Sequence, residues 1–267
     1  MKALNFKSIF SALVIPLAFA GGFFFFFYVC GDGSNFQGGS NENLPIPGNY
    51  FGVVYKGGIV VPILMSLLLI ALIFSVERLI TISRSKGRGA MVKFVHKIKD
   101  LVLSGDFDGA FEACDRQKGS VASVVRHALQ KYQEMEKDTA LTKEQKLVFL
   151  QQGVEEATSL EMPALEQNLP MLATLTSLGT LLGLLGTVLG MIRAFAALAN
   201  AGAPDSIALA TGISEALINT ATGIGTAAVA MISYNFFTTQ IDKITYSIDE
   251  LGFSIVQTFS AKYQEQR

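Results

Sequence analysis

The sequence predicts an all-α membrane protein: four transmembrane helices, with long helices extending into a cytoplasmic helical domain. Three observations carry that expectation. Four apolar runs divide a chain of 267 residues that is 50% hydrophobic and only 16% charged, with a mean hydropathy of +0.41. Each run reaches the ~20 residues needed to cross a hydrocarbon layer ~30 Å thick. Charge is nearly absent from the runs and gathers between Arg84 and Glu166, where the pattern is helical and no strand alternation is found. A soluble domain of this size needs more charge to cover its surface. The formal net charge of −1 also argues against a nucleic-acid partner, which calls for a basic face.

The first element is segment 1–30, apolar from about residue 9 and containing "AGGFFFFFYVC". Lys2, Lys7 and the "AFA" at residues 18–20 resemble a cleavable signal peptide. The apolar stretch nevertheless continues through residues 23–27, past the end of a signal's hydrophobic region, and "FYV" before Cys30 is a poor lipoprotein box. A retained helix is expected. Segment 31–57 is rich in Gly, Asn and Pro and is expected to be an extended, partly ordered periplasmic connection. Segment 58–83 is the second span. Segment 84–168 is the cytoplasmic helical domain, 169–199 the third span, 200–206 a short periplasmic loop, 207–237 the fourth span and 238–267 a cytoplasmic C-terminal helix.

Basic residues set the orientation. Lys2 and Lys7 precede the first span, and Arg84, Lys86, Arg88, Lys93, Lys97 and Lys99 follow the second. The loop 31–57 holds only Lys56, and 200–206 holds no Lys or Arg. Both termini are therefore expected in the cytoplasm. Cys30 and Cys114 then fall on opposite sides of the bilayer, which disfavours an intrachain disulfide.

Within the cytoplasmic domain, "LVLSGDFDGAFEAC" reads as a helix end, a Gly/Asp turn and a restart. Val121, Val124, Val125, Ala128, Leu129 and Tyr132 share helical spacing. "DFDG" lacks the spaced ligands and terminal glutamate of a calcium loop and is expected to be a plain turn. His96 and His127 stand alone, with packing or surface roles expected. No phosphate-binding glycine loop, nucleophile motif, metal spacing or cofactor signature is found, so enzyme chemistry has no support. The last helix of the domain, from about Lys143, is interrupted by Pro163 and Pro170, the latter suited to the first turn of a restarted helix.

The polar residues of the third and fourth spans carry the functional signal. At 100° per residue, Thr176, Thr180 and Thr187 lie along one direction to within about 20°. Beside them runs a small-residue stripe, Gly179, Gly183, Gly186 and Gly190, which allows close helix approach in lipid. On the fourth span Glu215, Asn219, Thr222 and Thr226 share one direction to within about 40°. Counted inward from the short loop, Glu215 is about 12 Å deep, Thr187 and Thr220 are both about 18–20 Å deep, and Thr180 and Thr226 about 28 Å. A lone threonine here is usually structural, bonded to its own backbone. A glutamate at mid-helix costs ~2.5–3.5 kcal/mol to insert, so Glu215 either lines an ion pathway or pairs with Arg193. Glu77, near the inner end of the second span, either has a function or snorkels and pairs with Arg78 or Arg84.

"LLGLLGTVLGMIRAF" followed by "TGISEALINTATGIGTAAVAMISYNFF" resembles the MotA/TolQ/ExbB proton channel family, most closely its ExbB/TolQ branch. The match is close from Leu169 to about Ile241 and looser over "VERL" and the cytoplasmic helices. The resemblance implies a ring-forming subunit, typically a homopentamer, of a proton-motive-force-driven motor in the bacterial inner membrane. It implies a dimer of a single-span ExbD/TolR-like partner in the central pore and a TonB/TolA-like energy transducer, with no cofactor. Such a motor energises an outer-membrane process such as TonB-dependent transport. Carried over by position, Thr187 and Thr220 are the pore threonines, Glu215 is the pore glutamate and Glu77 the acidic residue at the inner end of the second span. Three features depart from the ExbB-like layout. Segment 1–30 adds a span, Arg193 stands where a neutral residue is expected, and Thr220 lies about 140° from Glu215 on an ideal helix, leaving Thr222 as an alternative.

Overall fold

The structure is a computed structural model that describes residues 2–199 and 205–262, with side chains from Leu13 to Ala199 and from Asp205 to Ala261. Most of the short loop 200–206, the last five residues, and the side chains of Lys2 and Lys7 lie outside the described residues. Among the described residues the regular secondary structure is helical. The chain divides into one compact unit of residues 1–76 and 168–235 and a second of residues 77–167 and 236–267.

The first unit holds the apolar elements. Helix α1 (Lys2–Phe24) ends in a π-helical turn over Phe25–Cys30. After a loop come α2 (Tyr50–Tyr55) and then α3 (Val60–Ser85), of which the part up to residue 76 belongs here. Helix α8 (Leu169–Ala199) and the first part of α9 (Ser206–Lys262) complete it. Among the described residues, four stretches are long and apolar enough to cross a membrane: Leu13–Cys30, Val60–Ser85, Lys143–Ala199 and Ser206–Ala261. Val60, Leu64, Leu67, Ile70, Ala71 and Phe74 are buried along α3 at three- and four-residue spacing. The N-terminal helix packs on α3 where Gly22 meets Ser66: a Cβ on Gly22 would lie 2.9 Å from the Ser66 amide nitrogen. Ser66 turns its hydroxyl back to the Pro62 carbonyl (2.7 Å), which spares an unsatisfied donor in the apolar layer.

Segment 31–57 is folded rather than extended. Asn35 is the reason. Its amide donates to the carbonyls of Val29 (2.7 Å) and Cys30 (3.1 Å) at the end of the π turn, and its carbonyl accepts from Asn49 (2.9 Å), the residue that caps α2. Phe36 is buried against the Tyr55 ring, with the Lys56 ammonium 5.6 Å from its centroid. The same ammonium donates to the Asn41 and Glu42 carbonyls. At the surface, the Ser34 hydroxyl and amide hold the Asp32 carboxyl below the usual range. Composition reports backbone permissiveness, and it gave no sign that one buried asparagine would close this loop.

The second unit contains α4 (Met91–Ser104), α5 (Phe107–Gln117), α6 (Gly119–Lys137) and α7 (Lys143–Glu166), with the C-terminal ends of α3 and α9. The Gly/Asp turn is as expected: Gly105 ends α4 in a left-handed conformation (φ 76°), and Asp106 caps α5 by accepting from the Gly109 amide. Thr142 and Gln145 form a capping box that starts α7. All six residues of the expected apolar face of α6 are buried. Ile241, Ile244, Ile248, Leu251, Ile255 and Phe259 supply the matching stripe on α9, and Phe259 meets Tyr132 edge-on at 4.8 Å. Burial pushes the Cys114 thiol up to about 12.

Glu77 and Arg78 are placed by this unit. Arg78 has no exposed surface; its guanidinium pairs with the Glu77 carboxylate (2.6 and 2.5 Å) and donates to the Leu165 carbonyl (3.1 Å). The carbonyls at the end of α7 have no partner within that helix, so Arg78 caps it. Thr81 also donates to Glu77 (2.9 Å). Glu77 thus pairs with Arg78, one of the two arginines expected for it.

Candidate functional site

The glycine stripe of α8 forms the floor of the site. It packs on α9 of the same chain, and the partner positions are themselves small: Gly212, Ala216, Gly223 and Ala227. A Cβ on Gly179 would lie 3.0 Å from the Ala227 nitrogen, on Gly183 3.1 Å from the Gly223 Cα, and on Gly190 2.7 Å from the Ala216 nitrogen. A Cβ on Gly186 would collide with the Asn219 side chain. The two backbones therefore approach as closely as only glycine allows. The small residues on α9, spaced four, seven and four apart, were a readable signal that the polar residues around them obscured.

This approach brings two threonines together. The Thr187 and Thr220 hydroxyls bond to each other across the helix contact. Each also reaches backbone carbonyls: Thr187 that of Gly183 (3.1 Å) and Ala216 (3.4 Å), Thr220 that of Ala216 (3.1 Å). Two hydroxyl hydrogens thus share three acceptors, counting one hydroxyl oxygen as acceptor of the other. Either hydroxyl can donate across the gap while its partner donates to backbone, and rotation of both exchanges the arrangements. Both side chains are half-buried, so a lone pair remains for a third group. The geometry favours Thr220 over Thr222 as the counterpart of Thr187, since Thr222 turns its hydroxyl to the Ile218 carbonyl (2.8 Å).

The acidic face of α9 points elsewhere. Glu215, with its side chain 6% exposed, accepts both short bonds (2.6 and 2.8 Å) from one nitrogen of Arg193, whose side chain is 56% exposed. The turn before α3 closes over this pair. Gly58 sits at φ +76°, where a Cβ would run into the Glu215 carboxylate and lie 3.2 Å from the Arg193 guanidinium. Asn219, fully buried, donates to the Gly57 carbonyl (2.9 Å) and to the Glu215 carbonyl (3.0 Å). Thr226 is buried and bonded to the Thr222 carbonyl (2.9 Å). Thr180 is exposed and bonded to the Thr176 carbonyl (3.2 Å), so the level it shares with Thr226 produces no second hydroxyl pair. The structure thus joins Thr187 to Thr220 and Glu215 to Arg193, and leaves Thr180, Thr222 and Thr226 bonded along their own helices. The Gly57–Gly58 turn had no signal beyond its two glycines.

Four long apolar helices among the described residues, with two hydroxyls paired across a glycine-packed helix contact, define a multi-pass helical membrane protein. Residues 117–250, half of the chain, match the MotA/TolQ/ExbB proton channel family, and the chain belongs to it. It is 35% identical over 88 residues to the Tol-Pal system protein TolQ of Haemophilus influenzae, covering 33% of this chain and 39% of that one. To the Tol-Pal system protein TolQ of Pseudomonas aeruginosa it is 28% identical over 136 residues, covering 48% of this chain and 59% of that one. The chain therefore matches less than two thirds of the length of either relative. Helices α1 to α4 lie outside the family match.

Proposed function

We propose that this chain is the ring-forming subunit, in an ExbB/TolQ-like homopentamer, of a proton-motive-force-driven motor in the bacterial inner membrane. Both termini face the cytoplasm, as the basic residues after α3 suggest. A dimer of a single-span ExbD/TolR-like partner occupies the pore, and a TonB/TolA-like transducer carries the motion to an outer-membrane process. TonB-dependent transport and a Tol-Pal-type role are both consistent with the similarity to TolQ. The observation that carries the reading is the Thr187–Thr220 hydroxyl pair, seated within the family match. Paired hydroxyls that donate and accept, with a lone pair to spare, suit hydrogen bonding to the partner's membrane carboxyl as it gains and loses a proton. Thr180, Thr222 and Thr226 are secondary members of the pathway.

The subunit alone is not a free channel in this reading. Exposed Leu181, Leu184, Leu185, Val188 and Ile192 surround the few hydroxyls on α8, and an apolar constriction gates by dewetting. The test is native mass spectrometry of the chain with and without its single-span partner, alongside proton flux into liposomes. A homo-oligomer that binds two partner copies and conducts at background level alone is expected. Robust flux from the chain alone would contradict the motor reading and favour a stand-alone cation channel.

A further inference from the structure

The third and fourth spans, residues 169–237, contain a single basic residue, Arg193, and two acidic ones, Asp205 and Glu215. Asp205 caps the start of α9 with bonds to the Ile207 and Ala208 amides. The charges left in the apolar layer are Arg193 and Glu215, and they are bonded to each other. We propose that this pair is a charge clamp that sets the register of α8 against α9, and that Glu215 is a positioning residue for the threonine pair rather than a carrier of protons. This rests on the motor reading only for its activity arm.

Three observations support the clamp. First, both carboxylate oxygens of Glu215 face one guanidinium nitrogen, and a guanidinium does not give up its proton in proteins, so no proton can pass along this bond while it is intact. Second, the carboxylate is enclosed. The Gly57–Gly58 turn covers it, and Asn219 ties that turn to the Glu215 backbone. A glutamate that drew cations into a pore would need an open approach, whereas here the exposed member of the pair is the arginine. Third, the clamp and the threonine pair share the same two helices. Thr187 and Arg193 are six residues apart on α8, about 9 Å of rise, and Glu215 and Thr220 five apart on α9, about 7.5 Å. Two cross-helix polar links less than two turns apart fix both the rotation and the level of one helix against the other. The glycine contact at Gly190, between the two links, and that at Gly186, next to Thr187, admit no slack.

A double-mutant cycle tests this in the full chain: Glu215→Gln, Arg193→Gln and the two together, with Arg193→Lys as the conservative variant. Each single Gln variant leaves one charge in the apolar layer without its partner, so melting in detergent is expected to fall by roughly 5–10 °C. Motor activity with the partner present is expected to fall by about tenfold as Thr220 loses its register. The double variant removes both charges, and its two amides can still bond. It should recover most of the melting temperature and most of the activity lost in Glu215→Gln, and Arg193→Lys should retain more of both than Arg193→Gln. If the single-variant melting losses simply add, the clamp is overturned. If the double variant melts normally yet is as inactive as Glu215→Gln, Glu215 carries protons and the positioning role is overturned. The melting arm needs neither partner nor proton-motive force, so it decides the clamp even if the motor reading fails.

Discussion

Gly223→Ala adds one carbon where the α8 and α9 backbones come closest. The new Cβ would sit 2.6 Å from the Gly179 carbonyl oxygen and 2.7 Å from the Gly183 Cα. Attractive contacts between heavy atoms begin near 3.5 Å, so the helices must part by about 1 Å or α9 must rotate. Overpacking of this kind costs ~1–3 kcal/mol, against which alanine's better helix propensity returns ~1 kcal/mol. Gly225→Ala is the matched control, because nothing lies within 4 Å of its Cβ and only the propensity gain remains. The propensity gain is common to both, so the two variants should differ by the overpacking alone, ~1–3 kcal/mol, or roughly 2–12 °C in melting temperature. Heating followed by size-exclusion chromatography in detergent measures this without a tryptophan signal, which the sequence lacks. A parting of about 1 Å also lengthens and weakens the Thr187–Thr220 bond, so Gly223→Ala should lose activity beyond its loss of stability. Equal melting temperatures for the two variants would refute the close-approach account of the site.

Three further outcomes follow from the described contacts. Arg78→Met strips the cap from the end of α7 and removes the cation paired with Glu77, at a cost of ~3–5 kcal/mol; chemical denaturation should show the loss in the helical unit. Burial holds the Cys114 thiol at about 12 against an ordinary 9.0, so the native state is favoured below pH 9 and loses that advantage as pH rises from 9 towards 12. Folded protein at pH 8 should resist maleimide at Cys114, and Cys114→Ala should flatten the alkaline fall in melting temperature. Asn35→Ala leaves the Val29 and Cys30 carbonyls without their side-chain donor, costing ~1–3 kcal/mol; limited proteolysis within residues 31–57 should accelerate while the rest of the chain stays intact.

The parts of this fold legible in the sequence are those set by periodicity and transfer energy. Four long apolar helices, the buried face of α6 and the turn at Gly105–Asp106 follow from spacing and capping chemistry alone. The equal depth of Thr187 and Thr220 was also readable, because rise per residue is fixed. What pairs across helices was not. Rotation of α9 about its axis decides whether Thr220 or Thr222 meets Thr187, and that rotation is set by the small residues Gly212, Ala216, Gly223 and Ala227 together with the Arg193–Glu215 bond. Asn35 closes a loop whose composition suggested openness, because one side chain ties the end of the π turn, five and six residues back, to the cap of α2, 14 residues on. Arg78 was less legible still, because its carbonyl partners lie 86 and 87 residues away.

The central claim is that the Thr187–Thr220 pair takes part in proton-coupled work, and the double variant Thr187→Val/Thr220→Val tests it most directly. Valine keeps the shape and removes both hydroxyls, and a broken buried hydrogen bond costs ~1–3 kcal/mol, too little to dismantle an assembly held by several helices. The same cost at a proton-transfer step slows it by roughly tenfold to a hundredfold. Glu215→Ala should weaken activity too, through register, whereas Thr174→Val, bonded only to the Pro170 carbonyl on the exposed side of α8, should not. The measurement pairs native mass spectrometry with a proton-motive-force-dependent uptake or growth assay. Normal assembly and partner binding are expected in the double variant, with activity reduced at least ~tenfold. Full activity would contradict it and take these two threonines out of the pathway.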